Sequence, residues 1–327
     1  MHDITFALIS ALAGLAGIFL LYWLLHQILR ALPGKLAEKV TPFLFMAPAI
    51  ILLGGISFWP TLDTFYLSVK NIDSTKFIGL HNFKFLLTSN DFLNVLLNNF
   101  LWIAFVPAMC VAIGLVIANL ANRVGSKSEK IYKSIFFLPT AISFFAAASI
   151  WSFIYYYLPK GQHQVGLLNA IWTHFSNALP VAWLAVRTLH FNSFLMMFVV
   201  VWLNVGFCTV LLSASIKSVS EETLEAARLD GATERQVFFK VVVPQIQATI
   251  LAIFITVLIG TMKIFDIVWA MTQGKNNSSV LGVDFYTQYF QNGDVGRGAA
   301  IVVIWIVLIF PFLVFQIRAY KRQQELR

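Results

Sequence analysis

Runs of about twenty apolar residues recur along the whole chain, and they constrain its fold more than any other feature. A helix needs about 20 mostly apolar residues to cross the hydrocarbon core of a bilayer. Hydrophobic residues make up 59% of the chain and charged residues only 12%, which is more apolar surface than a water-soluble core could bury. The sequence therefore predicts an all-α integral membrane protein with about seven transmembrane helices. The predicted spans are 4–29, 43–67, 92–120, 135–158, 194–215, 246–271 and 299–317.

The segment 166–186 is an eighth apolar stretch, but His174, Ser176 and Pro180 interrupt it. We expect it to lie outside the membrane and to rest on the interface. If it were a span, the basic loop 123–133 would lie on the outer side, against the excess of Lys and Arg in cytoplasmic loops.

The basic residues predict the orientation of the chain. With a cytoplasmic C-terminus, the inner segments 30–39, 123–133, 217–240 and 318–327 carry fifteen Lys and Arg, whereas the outer segments carry seven. This bias predicts a cytoplasmic C-terminus and an extracytoplasmic N-terminus. The first helix has no basic residue before it, so we expect a retained span rather than a cleaved signal peptide. The net charge of +8 is accounted for by the inner loops and needs no nucleic acid to explain it.

One loop, residues 221–245, is dense in charge although its neighbours on both sides are apolar. Its sequence is EETLEAARLDGATERQVFFKVVVPQ. Ser220 is predicted to cap a helix whose acidic first turn, Glu221 and Glu222, suits the helix dipole. Gly231 falls where a left-handed residue would end that helix.

The second half of the loop carries its own helix signals. Thr233 and Gln236 have the spacing of a capping box, and Pro244 marks the turn into the next span. The loop is therefore predicted to be a helix, a glycine corner and a second helix on the cytoplasmic face. On composition alone it is either a solvated loop or a docking element for a cytoplasmic protein.

The run EAARLDGATERQVFFKVVVP resembles the EAA loop of binding-protein-dependent ABC importer permeases, and it precedes the penultimate span as in that family. FIGLHNFKFLL at 77–87 is similar to a segment of sugar permeases. AISFFAAASIWSFIY, GQHQVGLLNAIW and KIFDIVWAMTQG resemble alpha-glucoside permeases, which also tend to carry an extra N-terminal helix. A valine triplet at 241–243 departs mildly from the Ile-x-Leu often found in the family. The positions that match the EAA loop are Glu225, Ala226, Ala227, Asp230, Gly231, Ala232, Phe238 and Pro244.

The resemblance implies a domain layout in which the six C-terminal spans form the importer core. Residues 42–320 would be that transmembrane domain, with the coupling loop at 218–245. Residues 1–41 would be an extra N-terminal helix with a cytoplasmic linker, and 321–327 a cytoplasmic tail. The location implied is the inner membrane of a bacterium.

The resemblance also implies partners. The loop, above all Glu225 and Gly231, would dock into a groove on an ATP-binding subunit whose closure drives transport. This chain has no G-x-x-x-x-G-K-[ST] phosphate loop, so ATP and Mg would be bound by two separate ATP-binding subunits. A second permease subunit and an extracytoplasmic sugar-binding protein complete the expected assembly, and surrounding lipid is the remaining partner. No catalytic residue or cofactor is expected in this chain.

Two helical faces are candidates for the substrate pathway. An amide at the centre of a span is costly against lipid, so Asn204 should face protein or a water-filled cavity. The resemblance to the maltose-type permease subunit implies that sugar contacts come from the helical face that carries Asn204 and from the next span. The sequence leaves open a structural role, in which Asn204 bonds a neighbouring helix and Thr261 its own backbone. The pathway candidates are Val200, Leu203, Asn204, Phe207, Val257, Gly260, Thr261 and Ile264.

Other residues bear on alternative functions of the chain. Lys263 and Asp266 could pair on a helix surface, which motivates an ion-coupled secondary transporter as the main alternative, although no repeated halves support it. A membrane scaffold is a third possibility, against which the EAA resemblance argues. The six histidines show no metal-binding spacing. Cys110 and Cys208 lie in apolar helices and are predicted to be small buried hydrophobic residues.

Overall fold

The structure is a computed structural model that describes residues 2–30, 32–176 and 178–325. The end of the predicted tail, 326–327, therefore lies outside the described residues. Within the described ranges the chain is helical, and extended segments pair only at one isolated bridge between Lys70 and Phe77. In the described residues the first eight α-helices are α1 (His2–Arg30), α2 (Gly34–Leu53), α3 (Trp59–Ser68), α4 (His81–Thr88), α5 (Asn90–Ala121), α6 (Ser126–Phe137), α7 (Phe144–Ile154) and α8 (Leu167–Ser176). The remaining eight are α9 (Phe191–Lys217), α10 (Glu221–Leu229), α11 (Glu234–Val237), α12 (Val243–Gln245), α13 (Gln247–Met262), α14 (Asp266–Thr272), α15 (Leu281–Tyr286) and α16 (Val295–Glu325).

The first compact unit, Met1–Tyr66, contains α1, α2 and most of α3. A π-helical segment, Gly54–Phe58, joins α2 to α3 into one long helix. Most apolar side chains of this unit are exposed, as suits helices that contact lipid. The unit ends at Tyr66, whereas the predicted domain boundary lies at residue 41; the domain assignment stays a prediction.

The second compact unit, Leu67–Arg327, is built around α9, which packs along α5. Trp102, Met196 and Met197 are fully buried in its core. The helices approach closely where Gly114 faces Cys208, since a Cβ on Gly114 would lie 2.9 Å from the Cβ of Cys208. Cys208 and Cys110 are both free and buried, which confirms the prediction that they act as small core residues.

Among the described residues, five helices are long and apolar enough to cross a membrane, or seven if two bent helix pairs are counted as spans. This confirms the predicted fold class, but the interiors of two predicted spans are corrected. The span predicted at 135–158 is broken, because Lys127–Ala141 and Phe144–Ile154 meet at 101°. Ser143 is extended at this break, and its hydroxyl caps the new helix by accepting from the amide of Ala146.

The second correction concerns the span predicted at 246–271. It begins after a 70° bend that follows Pro244, as expected. It is then interrupted after Met262, because Lys263 leaves helical geometry and a short separate helix starts at Asp266.

The segment predicted to lie outside the membrane contains α8, a helix of only ten residues, followed by short 3-10 turns. Ten residues are about 15 Å long, half of what a span needs. The structure therefore agrees with the prediction that 166–186 is not a span.

Candidate functional site

The charged loop has the predicted form of a helix, a glycine corner and a second helix. At the end of α10, the amide of Gly231 donates to the carbonyl of Arg228 at 3.0 Å, and the amide of Ala232 donates to Ala227 at 3.1 Å. These two bonds form a Schellman motif, which ends helices at a left-handed residue. Gly231 has φ +84°, a conformation that a side chain disfavours. The corner therefore depends on glycine at this position.

The start of the second helix is capped as the sequence predicts. The hydroxyl of Thr233 accepts from the amide of Gln236, whose side-chain oxygen accepts from the amide of Thr233 at 2.8 Å. The predicted cap at Ser220 is wrong, because its side chain makes no capping bond. The carbonyl of Ser220 instead accepts from the amide of Leu224 at 3.3 Å, as in an ordinary first turn.

Part of the loop is an anchor on the membrane domain. Leu224, Ala227 and Ala232 are partly buried against the main apolar core, and Phe238 is only 8% exposed within it. The ring of Phe238 also packs edge to face against Phe239, with centroids 5.1 Å apart. Three of the matched positions, Ala227, Ala232 and Phe238, thus hold the loop in place.

The other matched positions are exposed. Glu225, Ala226, Asp230 and Gly231 form an exposed surface at the end of α10 and the glycine corner, whereas Pro244 is exposed separately in α12. Beside them, Leu229 is 88% exposed, which gives a charged surface an apolar centre that a protein partner could bury. Sequence analysis missed Leu229, although an apolar residue among charges on a polar loop was a usable signal.

The base of the loop is tied to a neighbouring helix by an ion pair. Lys217, the last residue of α9, places its ammonium 2.6 Å from the carboxylate of Glu129 in α6. Lys133 pairs with the same carboxylate, and Glu129 as a whole is only 8% exposed. The ion pair therefore joins the end of α9, where the loop begins, to α6. Sequence analysis missed this contact because the paired residues are 88 positions apart.

The predicted pathway face on α9 is covered at one end and open at the other. Val200 and Leu203 are buried, whereas Asn204 and Phe207 are half-buried. The amide nitrogen of Asn204 donates to the carbonyl of Val200 at 2.8 Å. Among the described residues, its side-chain oxygen accepts no hydrogen bond and could accept one from a sugar hydroxyl.

The matching face on α13 is mostly buried. Val257 and Thr261 are buried on α13, and the hydroxyl of Thr261 donates to the carbonyl of Val257 at 2.8 Å. Ile264 is also buried, but it lies beyond the end of α13 at Met262, so the prediction that it shares this helical face is wrong. Gly260 is exposed, and a Cβ there would meet no atom within 4 Å. Of the four candidates in the second span, Gly260 is thus the accessible one. The pathway role of all eight candidates, in both spans, stays a prediction.

Lys263 and Asp266 lie on either side of the break after α13, so they do not share one helix surface. Among the described residues, no ion pair joins them. The observation that motivated an ion-coupled transporter therefore loses its geometric support.

The fold is that of a multi-pass helical membrane protein with a helix–glycine–helix loop, one side of which is exposed. The chain belongs to the family of binding-protein-dependent transport system inner membrane components, whose profile matches residues 110–323. It is accordingly a multi-pass inner-membrane permease component of an ABC importer, and it is not an enzyme. The family resemblance of the EAA run is thereby confirmed, and the ion-coupled alternative is excluded.

Two relatives match over most of their length. The chain is 41% identical to the osmoprotective compounds uptake permease protein GgtC of Synechocystis, over 87% of this chain and all of that protein. It is 40% identical to the alpha-glucoside transport system permease protein AglF of Rhizobium meliloti, over 88% of this chain and 85% of that protein.

A solved structure shares the fold. A chain of a bacterial ABC transporter that imports the acidic polysaccharide alginate superposes with a TM-score of 0.75, covering 88% of this chain and 99% of that chain. The two sequences are 19% identical, so this similarity bears on the fold alone.

Proposed function

We propose that this chain is the permease subunit of an ATP-driven importer of sugars, with alpha-glucosides or similar oligosaccharides as its cargo. The observation that carries the proposal is the 40–41% identity to permeases named for alpha-glucosides and for osmoprotective compounds. Glycosides belong to the first class and can belong to the second, so they are the cargo to test first.

The exposed surface of the loop would dock on an ATP-binding subunit. Its anchor residues fix it to the transport domain, while Glu225, Leu229 and Gly231 remain free to contact the partner. The pair between Lys217 and Glu129 would pass loop movement on to α6. In this proposal the loop and the C-terminus lie in the cytoplasm and the N-terminus lies outside, as the distribution of Lys and Arg predicts.

The cargo would pass between this subunit and a second, different permease subunit. Asn204, Phe207 and Gly260 border the open parts of the two predicted faces, so they would line this subunit's half of the path. An amide can bond sugar hydroxyls, and an aromatic ring can pack on the apolar face of a pyranose. Two ATP-binding subunits and an extracytoplasmic sugar-binding protein complete the proposed assembly.

The test is uptake by the assembled importer in proteoliposomes that contain ATP. Labelled trehalose, sucrose and maltose are compared with glycine betaine, an osmoprotectant that is not a sugar. We expect ATP-dependent uptake of at least one glycoside. Uptake of glycine betaine alone, or of none of the four compounds by an ATP-hydrolysing complex, would contradict the sugar assignment.

A further inference from the structure

A concave surface lies at the end of the bundle opposite the coupling loop. It is a cavity of about 500 Å³, formed by the end of α7, the turn at 182–185 and residues 270–276. These segments meet the Phe191 end of α9, whereas the coupling loop follows Lys217 at the other end. A 27-residue helix is about 40 Å long, so cavity and loop lie on opposite sides of the bundle.

The walls of this cavity are held by buried amides. Asn169 is completely buried, and its amide nitrogen donates to the carbonyls of Tyr156 at 3.0 Å and Val181 at 2.9 Å. Asn192, also buried, donates to the carbonyl of Asn276 at 2.9 Å. Each amide joins backbone segments that are distant in sequence. The cavity is therefore preformed, which lowers the cost of ordering it around a ligand.

The side chains at its surface have the chemistry that a sugar requires. Tyr156 is 48% exposed and Tyr157 is 40% exposed, so their rings are accessible. Gln273 and Lys275 are exposed and supply an amide and an ammonium group. Among the described residues, no carboxylate lines the cavity. Its volume lies within the usual range of ligand pockets, about 300–1,000 Å³.

We propose that this cavity, formed by Tyr156, Tyr157, Gln273 and Lys275, is an outer sugar site that binds a pyranose unit of the incoming glycoside. A tyrosine ring packs against the apolar face of the pyranose, while Gln273 and Lys275 bond its hydroxyls. The inference rests on the proposed sugar cargo. Asn204 lies thirteen residues, or about 20 Å, further along α9, so a sugar arriving from outside meets the outer site first.

The test measures sugar binding to the assembled importer in nanodiscs without its binding protein. Saturation-transfer difference NMR with maltose, sucrose and trehalose gives the affinities. Tyr156→Leu removes a ring, and Tyr156→Phe keeps it. Tyr132→Leu is the matched control, because Tyr132 is 47% exposed and lies in α6, the helix tied to the base of the loop.

We expect Tyr156→Leu to weaken affinity about two- to tenfold, as for other aromatic contacts. The sugar affinities of Tyr156→Phe and Tyr132→Leu should stay within about twofold of wild type, because the first keeps the ring and the second changes a residue outside the cavity. Elution as a single assembled complex confirms that each variant folds.

If Tyr156→Leu binds sugar with unchanged affinity and wild type still imports sugar, the outer site is overturned but the proposed sugar function is not. A separate titration adds the sugar-free binding protein to the same nanodiscs. Weaker binding of that protein to Tyr156→Leu, with unchanged sugar affinity, would assign the cavity to a protein contact and also overturn the outer site. Failure of wild type to import any of the three sugars contradicts the proposed function itself.

Discussion

Replacing Gly231 with alanine tests the corner that presents the docking surface. Gly231 has φ +84°, and a Cβ there would meet no atom within 4 Å. The added methyl group therefore clashes with no neighbour. The free-energy cost of the substitution is the cost of holding alanine in a left-handed backbone conformation, about 1–2 kcal/mol. If docking requires this corner, the dissociation constant for the ATP-binding subunit rises about 5- to 30-fold.

The assay titrates purified wild-type and variant transporter domains with the ATP-binding subunit. Gly231→Asn is the matched control, because asparagine adopts the left-handed conformation more readily than alanine and should lose clearly less affinity. Gly231→Asp adds a charge to the same exposed position and should abolish coupled transport. All three variants should still insert in the membrane, since the corner lies outside the packed core.

Equal affinity of Gly231→Ala and wild type would refute the claim that docking depends on the left-handed corner. An equal loss of affinity in the alanine and asparagine variants would also contradict the role of the left-handed backbone. It would show that any side chain at position 231 obstructs the ATP-binding subunit.

Three further predictions follow from other parts of the structure. Asn204→Leu should change sugar affinity or range in uptake assays while the affinity for the ATP-binding subunit stays unchanged. Gly206→Ala should lower the free energy of unfolding by at least ~3 kcal/mol, because a Cβ there would lie 2.0 Å from the carbonyl oxygen of Phe136. Gly260→Ala is the control in thermal unfolding and should be nearly neutral, because its Cβ would meet open space. Burial raises the pKa of Asp284 from 3.8 to about 6, so stability should fall as pH rises between these values. Asp284→Asn should remove that fall and exceed wild type above pH 6, by at most about 3 kcal/mol; an unchanged pH profile would contradict this.

The coupling loop could be predicted from sequence almost completely because its structure is local. The Schellman bonds join residues three and five positions apart, and the capping box joins Thr233 to Gln236. Ser220 was the exception, because a good capping residue type does not guarantee the hydroxyl geometry.

The features that escaped prediction depend on distant contacts. Hydropathy located the spans at 135–158 and 246–271, but it could not show the breaks inside them, since an average over about 20 residues stays apolar despite Ser143 at the first break and Lys263 and Asp266 at the second. Helical spacing placed Thr261 on a plausible pathway face, but only packing shows that it is buried. The residues of the outer cavity come from three separate segments, which no local pattern connects.

The central claim is that the exposed loop surface contacts an ATP-binding subunit, and a cysteine at Leu229 tests it most directly. Cys110 and Cys208 are fully buried, so Leu229→Cys adds an accessible thiol for a short cross-linker. Leu189→Cys is the matched control, because Leu189 is 86% exposed at the opposite end of α9. Our account predicts a cross-link to the ATP-binding subunit from position 229 and none from position 189. Equal yields from both positions, or no product from position 229 in a complex that transports sugar, would contradict it.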